Sequence, residues 1–291
     1  MAKTAKALRE IDKPIYRYWQ ALYHSFFNPR LYVDVCKRWQ GYGVLYLLLL
    51  MFVATIPFSV RVALNFNQFF DEALVKPLQQ LPIIYIQNGN VSLNQPIPYL
   101  IKNASHQIVA IVDTSGAVNA ITEAYPYLNI LITKDKLYYR FPSPRFFYDT
   151  QNAPHDAQPI YIYPFSKESN SIFVGKDWVN TSGIMNLKMF FTFIIYPTIA
   201  LVFFAVFLVI FLAFSLMGQF IARLFHITIS YKQACREVMV SATPFVVILW
   251  IMFCFGIITG RYNFIMPLIF ILYYCYAMIA LKRESRKLVL R

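Results

Sequence analysis

One short motif carries residue types that could do catalysis: Asp113-Thr114-Ser115-Gly116, at the end of the apolar run 107–112. Asp-Thr after an apolar strand is typical of aspartic-protease chemistry, in which two carboxylates share one proton. That chemistry needs glycine where this chain has Ser115, and it needs a second copy of the motif, which the sequence lacks. We therefore favour a strand that ends in an Asx-type turn closed by Gly116 over a hydrolase that uses Asp113.

The histidines and cysteines form no pattern of a metal site or a nucleophilic site. The histidines show no metal spacing and no Gly-x-Ser-x-Gly elbow; they are His24, His106, His155 and His226. The cysteines fit no metal motif and avoid the segment 63–188; they are Cys36, Cys235, Cys254 and Cys275. We predict no catalytic residue, no metal and no cofactor, and we expect that the protein is not an enzyme.

The composition indicates which elements must position these residues. Apolar residues make up 58% of the 291 residues and charged residues only 14%, against about 25% in soluble domains. This balance excludes a disordered chain and disfavours an ordinary soluble enzyme. Four stretches contain no Asp, Glu, Lys or Arg; they cover 39–60, 189–222, 238–260 and 262–281. Because a helix needs about 20 apolar residues to cross a bilayer, we predict four spans.

The predicted fold class is an α-helical polytopic membrane protein of four spans with an inserted, mostly β extracytoplasmic domain. The spans are predicted at 42–62, 189–216, 243–259 and 264–281. The other segments are a cytoplasmic amphipathic leader (1–41), the extracytoplasmic α+β domain (63–188), a cytoplasmic amphipathic connection (217–242) and a basic cytoplasmic tail (282–291).

Lysine and arginine counts predict the orientation in the membrane. The leader holds eight basic and three acidic residues, the connection three and one, and the tail five and one, whereas residues 63–188 hold nine of each. The positive-inside rule then places both termini and the connection in the cytoplasm, and the long segment outside. We expect the basic face to contact anionic lipid headgroups. We expect no nucleic-acid partner, because no basic segment carries a nucleic-acid-binding signature.

The segment 63–188 has the pattern of a β domain. Asn88-Gly89 lies between two short apolar runs, which is a hairpin signal. Roughly six strands are expected between Pro82 and Tyr163, and helix signal is confined to 62–80 and 175–188. The proline-rich stretch 141–164 is predicted to be a long surface loop.

The leader is predicted to contain an interfacial amphipathic helix over 14–28. Ile15, Trp19, Leu22 and Phe26 recur at helical spacing. Asn28-Pro29 ends the pattern, and a second short helix over 31–40 leads to the first span. The leader either senses lipid or a partner, or it only positions the first span; we favour the second interpretation.

Several motifs, in order from residue 26 to the C-terminus, resemble one bacterial family, the domain-of-unknown-function family 1189. They lie at 26–32, 39–43, 82–89, 96–99, 110–116 and 134–137. The segment 229–236 followed by Ser241-Ala242-Thr243-Pro244 is similar, more weakly, to Yip-type membrane proteins. The resemblance implies a multi-span inner-membrane protein with an inserted outer domain, and it implies no established reaction.

These observations leave three hypotheses on function. The first is a non-catalytic inner-membrane protein whose outer β domain binds a protein partner or envelope component. The alternative is a transport or lipid-handling component with a groove among the spans, opened by Pro197 and Pro244. The third is an outer-face hydrolase that uses Asp113. The residues that we select as an interaction or structural signature are Asn28, Pro29, Trp39, Gly89, Asp113, Thr114, Gly116 and Pro244.

Overall fold

The computed structural model describes residues 13–140, 159–257 and 265–289. Within it the chain forms two compact units. The helical unit comprises Met1–Arg61 and Ile195–Arg291, and the β unit comprises Val62–Ile194. His155, most of the predicted loop 141–164 and the whole short loop between the third and fourth predicted spans lie outside the described residues.

Ten α-helices are described along the chain. They are α1 (Tyr18–His24), α2 (Pro29–Arg38), α3 (Val44–Ala54), α4 (Ile56–Phe70), α5 (Lys76–Gln80), α6 (Gly175–Thr181), α7 (Ile184–Leu224), α8 (Tyr231–Ser241), α9 (Thr243–Phe255) and α10 (Ile265–Val289). A π-helical turn, Asp71–Val75, joins α4 to α5.

Three helical stretches are long and apolar enough to cross a membrane: Ile184–Leu224, Tyr231–Phe255 and Ile265–Glu284. The pair α3 and α4 makes a fourth if the two helices, bent by 45° at Thr55, count as one span. The prediction of several spanning helices beside a separate β region is thereby confirmed. The first predicted span, 42–62, contains this bend, and the third stretch begins at α8 rather than at Thr243.

An arginine fixes the second half of the bent pair. Arg61 donates hydrogen bonds to the carbonyl oxygens of Phe253, at 3.3 Å, and Cys254, at the C-terminal end of α9. A cation at this end of a helix also complements the helix dipole. One turn earlier, the ring of Phe58 lies 5.2 Å from that of Trp250, which is fully buried. The first residues of α4, up to Arg61, are therefore held beside the C-terminal half of α9.

The β unit contains two sheets. A three-stranded sheet has the order β2-β1-β8, and a mixed five-stranded sheet has the order β3-β4-β5-β6-β7. Their strands are β1 (Ile84–Gln87), β2 (Asn90–Leu93), β3 (Tyr99–Lys102), β4 (Ile108–Val112), β5 (Ile130–Ile132), β6 (Lys136–Tyr139), β7 (Tyr161–Pro164) and β8 (Ser171–Phe173). Only the β4–β5 pair is parallel among these strands.

One apolar core joins the two sheets. Ile84, Ile86 and Val91 of the smaller sheet pack with Val112 and Ile132 of the larger one. Because side chains alternate along a strand, Ile111 points to the opposite face of the larger sheet and packs with Leu128 and Leu131. The larger sheet is therefore covered on both faces near β4 and β5.

The predicted strands and the predicted hairpin are present, but the described unit has eight strands rather than about six. Asn88 and Gly89 have φ angles of 50° and 76° and connect β1 to β2, as a two-residue hairpin turn requires. The strand β8 was not predicted. It pairs with β1, far earlier in the sequence, so no local pattern indicates it.

The close approach of α6 to α5 requires a glycine. A Cβ atom on Gly175 would lie 1.9 Å from the carbonyl oxygen of Leu78, which is backbone and has no rotamer that could move it away. Val179, one turn later in α6, is buried with Phe70 and Val75. Gly175 thus allows α6 to pack directly on α5, with Val179 buried against Phe70 and Val75.

We predict that Gly175→Ala destabilises the β unit by about 1–3 kcal/mol, because the added methyl group forces the backbones of α5 and α6 apart. Limited proteolysis of the full-length protein in detergent measures this as faster cleavage within 62–194. Lys176→Ala, a change at an exposed neighbour in the same helix, is the control and should cleave at the wild-type rate. Equal rates for both variants would contradict the close approach.

Candidate functional site

Half of the selected signature residues start or end helices of the helical unit. The side chain of Asn28 caps α2 by accepting a hydrogen bond from the backbone N–H of Arg30, and Pro29 is the first residue of that helix. Trp39 ends α2 and is buried, with its ring 5.6 Å from that of Tyr46. Pro244 lies in the first turn of α9. These positions hold helix ends in place, and they do not converge on one site.

The other half lie in turns of the β unit. Gly89 forms the hairpin turn described above. Asp113 follows β4 and is fully buried, whereas Thr114 is half-buried and Gly116, with a φ of 87°, is exposed. The structure therefore brings Asp113, Thr114 and Gly116 into one turn that closes the end of a strand.

The carboxylate of Asp113 is fully used within this turn. It accepts hydrogen bonds from the N–H of Ser115 at 2.8 Å, the hydroxyl of Ser115 at 2.6 Å and the N–H of Val118 at 2.6 Å. Burial raises the pKa of Asp113, but these hydrogen bonds favour the ionised form and bring the pKa below its ordinary value. A buried carboxylate with three donors stabilises the turn, and it is not accessible to a substrate.

The three histidines in the described ranges do not come together in one site either. His24 packs against the rings of Tyr16 and Tyr23, and His106 and His226 occupy left-handed backbone positions. Within the described ranges, no three His, Cys, Asp or Glu side chains are grouped closely enough to hold a metal ion.

The helical unit contains a buried pair of charged residues in α8. Arg236 is buried, and its Nη2 donates a hydrogen bond of 3.0 Å to the carbonyl oxygen of Cys36 in α2. Glu237, the next residue, is completely buried, and neither of its oxygens has a hydrogen-bond partner in the part of the chain that the structure describes. An ionised carboxylate without donors costs several kcal/mol to bury. Such a residue is a candidate for function.

Three protic groups lie within electrostatic range of Glu237. They are Tyr32 and Cys36 of α2 and Tyr274 of α10. Burial raises the pKa of the Cys36 thiol to about 12, so this thiol stays protonated and is no nucleophile. The cluster joins α2, α8 and α10, which pack against one another.

An apolar groove of about 520 Å³ begins at this cluster. It runs between α7 and α10, with single contributions from α8 and α9, and it has the size of a small-molecule site. Its walls include Phe211, Gly218, Val238, Phe245, Phe270 and Tyr274. Pro267 of α10 also lines the groove, whereas Pro197 and Pro244, expected to open one, are not among its lining residues.

A comparison with known protein families matches one description, "Protein of unknown function (DUF1189)", over residues 19–279. The chain belongs to this family. The resemblance seen in the sequence is thus confirmed. Neither the curated proteins nor the solved structures give a match to this DUF1189 protein.

Sequence reasoning did not select Glu237 or Tyr274 of this DUF1189 protein. Glu237 falls in the predicted cytoplasmic connection, and Tyr274 is one of many aromatic residues in the fourth predicted span. One available signal was Ser230-x-x-Gln233, a capping box that marks the start of α8. Joining that helix to the apolar run that follows it places Glu237 within one candidate span, Tyr231–Phe255.

We predict that Asp113→Asn lowers stability at neutral pH and has less effect in acid. Because the folded pKa is depressed, the stabilisation by Asp113 is fully present above its unfolded pKa of about 4 and is lost as the pH falls through the folded value. Thermal midpoints of the full-length variant and the wild type should differ at pH 7 and converge below about pH 4. Glu123→Gln, at an exposed carboxylate of the same unit, is the control. A pH-independent difference would contradict this account.

We predict that Glu237→Met does not destabilise the protein and raises its thermal midpoint in detergent. The thioether side chain has a similar length and carries no group that needs a hydrogen-bond donor, so the cost of burying an unsatisfied carboxyl group, about 1 kcal/mol or more, is removed. A midpoint that falls by several degrees would mean that the carboxylate has a bonding partner, and it would sink the interpretation of Glu237 as an unsatisfied group.

Proposed function

We propose that this DUF1189 protein is a non-catalytic, multi-pass protein of the bacterial inner membrane whose β unit lies outside and binds a protein partner. The charge distribution supports the orientation, because the three predicted inner segments hold 16 basic and 5 acidic residues. If α3 and α4 cross as one bent span, four spans result and both termini are cytoplasmic. The basic inner face then contacts anionic lipid headgroups.

The strand β7 carries the proposal of a protein partner. It is the last strand in the order β3-β4-β5-β6-β7, and all four of its residues are exposed. Ile162 is 57% exposed and Tyr163 is 61% exposed, although neighbouring residues of a strand point to opposite faces. Ile160, directly before the strand, is exposed as well.

An apolar edge strand of this kind is uncommon on a protein that has no partner. Natural proteins usually protect edge strands with charges, bulges or covering segments, because an exposed apolar edge recruits other chains. The side chains of Ile162 and Tyr163 offer apolar and aromatic contact area on both faces of one strand, which is typical of a protein-binding edge. We infer that a partner protein packs on β7.

The geometry around Asp113 favours this function over an outer-face hydrolase. The Asp113 carboxylate is buried and held by three donors, so a substrate would have to displace the turn to reach it. The role of Asp113 is then to hold the end of β4, three strands away from β7 in the same sheet.

A comparison of two isoleucines tests the proposal. Ile162 in β7 and Ile172 in β8 are both exposed edge-strand residues, Ile172 at 65%, and they lie in different sheets. The tagged full-length protein is solubilised from its native membrane in mild detergent, as wild type, Ile162→Asp and Ile172→Asp. We expect one defined protein to co-purify with the wild type and with Ile172→Asp and to be lost with Ile162→Asp.

The interaction is then measured with the purified partner and the purified variants. The affinity for the partner should be the same for the wild type and Ile172→Asp, and lower for Ile162→Asp. Protease added to intact spheroplasts should cut within 62–194 and spare the termini. A partner that both variants retain, or a β unit that only disruption of the cells exposes, would overturn the proposal.

A further inference from the structure

The groove between α7 and α10 has the dimensions of a lipid chain site. Its α7 wall extends from Phe207 to Ile221, which is about 21 Å along a helix axis. One leaflet of the hydrocarbon core is about 15 Å thick. A groove of this length that is lined by apolar side chains suits a long hydrocarbon chain better than a compact solute.

Aromatic rings and one glycine shape the groove. Phe270 of α10 stacks against Phe211 and Phe214 of α7, with ring centroids 6.1 and 5.8 Å apart. Near one end, a Cβ atom on Gly218 would lie only 2.7 Å from the hydroxyl oxygen of Tyr274. The glycine thus leaves room for a polar group in an otherwise apolar wall.

The hydroxyl of Tyr274 has no hydrogen-bond partner in the described part of the chain, although the residue is only 2% exposed. A buried hydroxyl without a partner costs about 1–3 kcal/mol. Tyr274 lines the groove, but its hydroxyl oxygen is covered beside Gly218, so a bound molecule with an oxygen acceptor satisfies this hydroxyl once the ring turns toward the groove.

Basic residues follow directly beyond this end of the groove. The Lys282 Nζ lies 5.9 Å from the ring centroid of Phe225, one turn past Ile221, and Arg223 in the last turn of α7 is exposed. Lys282 follows Tyr274 by eight residues of α10, which is about 12 Å along the helix axis. Along the groove, the apolar channel is followed by the Tyr274 hydroxyl and then by the Lys282 ammonium group, and this order complements an acyl chain, an ester oxygen and a phosphate.

We propose that the groove binds one anionic glycerophospholipid of the cytoplasmic leaflet. Its acyl chain lies between α7 and α10, an ester oxygen accepts a hydrogen bond from Tyr274, and its phosphate lies near Lys282. The site shares the membrane orientation of the proposed function and is independent of partner binding at β7, so either can fail while the other stands.

Two neighbouring residues of α7 provide a matched test. Met217 and Leu216 are 61% and 62% exposed, and only Met217 lines the groove. Delipidated full-length protein is analysed by native mass spectrometry with added phosphatidylglycerol or phosphatidylcholine. We expect one tightly bound phosphatidylglycerol on the wild type and on Leu216→Trp, and about ten-fold weaker binding on Met217→Trp, whose indole fills the channel.

Two further variants separate the polar contacts. Tyr274→Phe should weaken both lipids about five-fold, because it removes the hydrogen-bond donor. Lys282→Gln should weaken phosphatidylglycerol about five-fold and leave phosphatidylcholine unchanged.

Equal binding by Met217→Trp and Leu216→Trp, or equal binding of the two lipids by the wild type, would overturn the proposal. Detection of a dimer of the chain without bound lipid would also overturn the proposal. If Met217→Trp does not fold, Ile271→Trp and Leu272→Trp give the same comparison on α10. Both residues are exposed, and only Ile271 lines the groove.

Discussion

The helical unit depends on the way α8 is held against the end of α2. Arg236 and Gln233 of α8 both donate hydrogen bonds to the carbonyl oxygen of Cys36, at 3.0 and 3.2 Å. This carbonyl lies in the last turn of α2, where no backbone N–H of the same helix is left to bind it. The two donors draw α8 into the space beside α2, α3 and α10, and the next residue, Glu237, is buried as a result.

Polar groups inside this protein fall into two kinds with different roles. One kind is fully used: Asp34 accepts hydrogen bonds from the backbone of Ile15 and Tyr16 and from Arg38, and Asp113 accepts three within its turn. The other kind is buried without a described partner, and it includes Glu237 and Tyr274 as well as the indole nitrogens of Trp39 and Trp250. The first kind fixes the ends of elements, whereas Glu237 and Tyr274 lie where the apolar groove meets the buried charges, which is where a ligand can complete the hydrogen bonding.

Local patterns account for most of the elements and for few of the candidate sites. Charge-free runs mark the spanning helices, and Asn88-Gly89 marks its hairpin, because each signal lies within the segment that it describes. The strand β8, the burial of Glu237 and the orphan hydroxyl of Tyr274 all depend on contacts between distant parts of the chain. Asp113 attracted attention through its motif, yet its hydrogen bonds to Ser115 and Val118 make it a turn residue.

The pairing of β1 with β8 sets the order in which the chain can fold during synthesis. β1 leaves the ribosome first, and its partner β8 follows only after all the other strands have been made. At about 5–20 residues per second, β1 waits several seconds for this partner. During that time its second edge is open to wrong pairing, unless a chaperone covers it. Closure by β8 comes just before α7 is made, so the finished β unit and the next apolar helix emerge almost together.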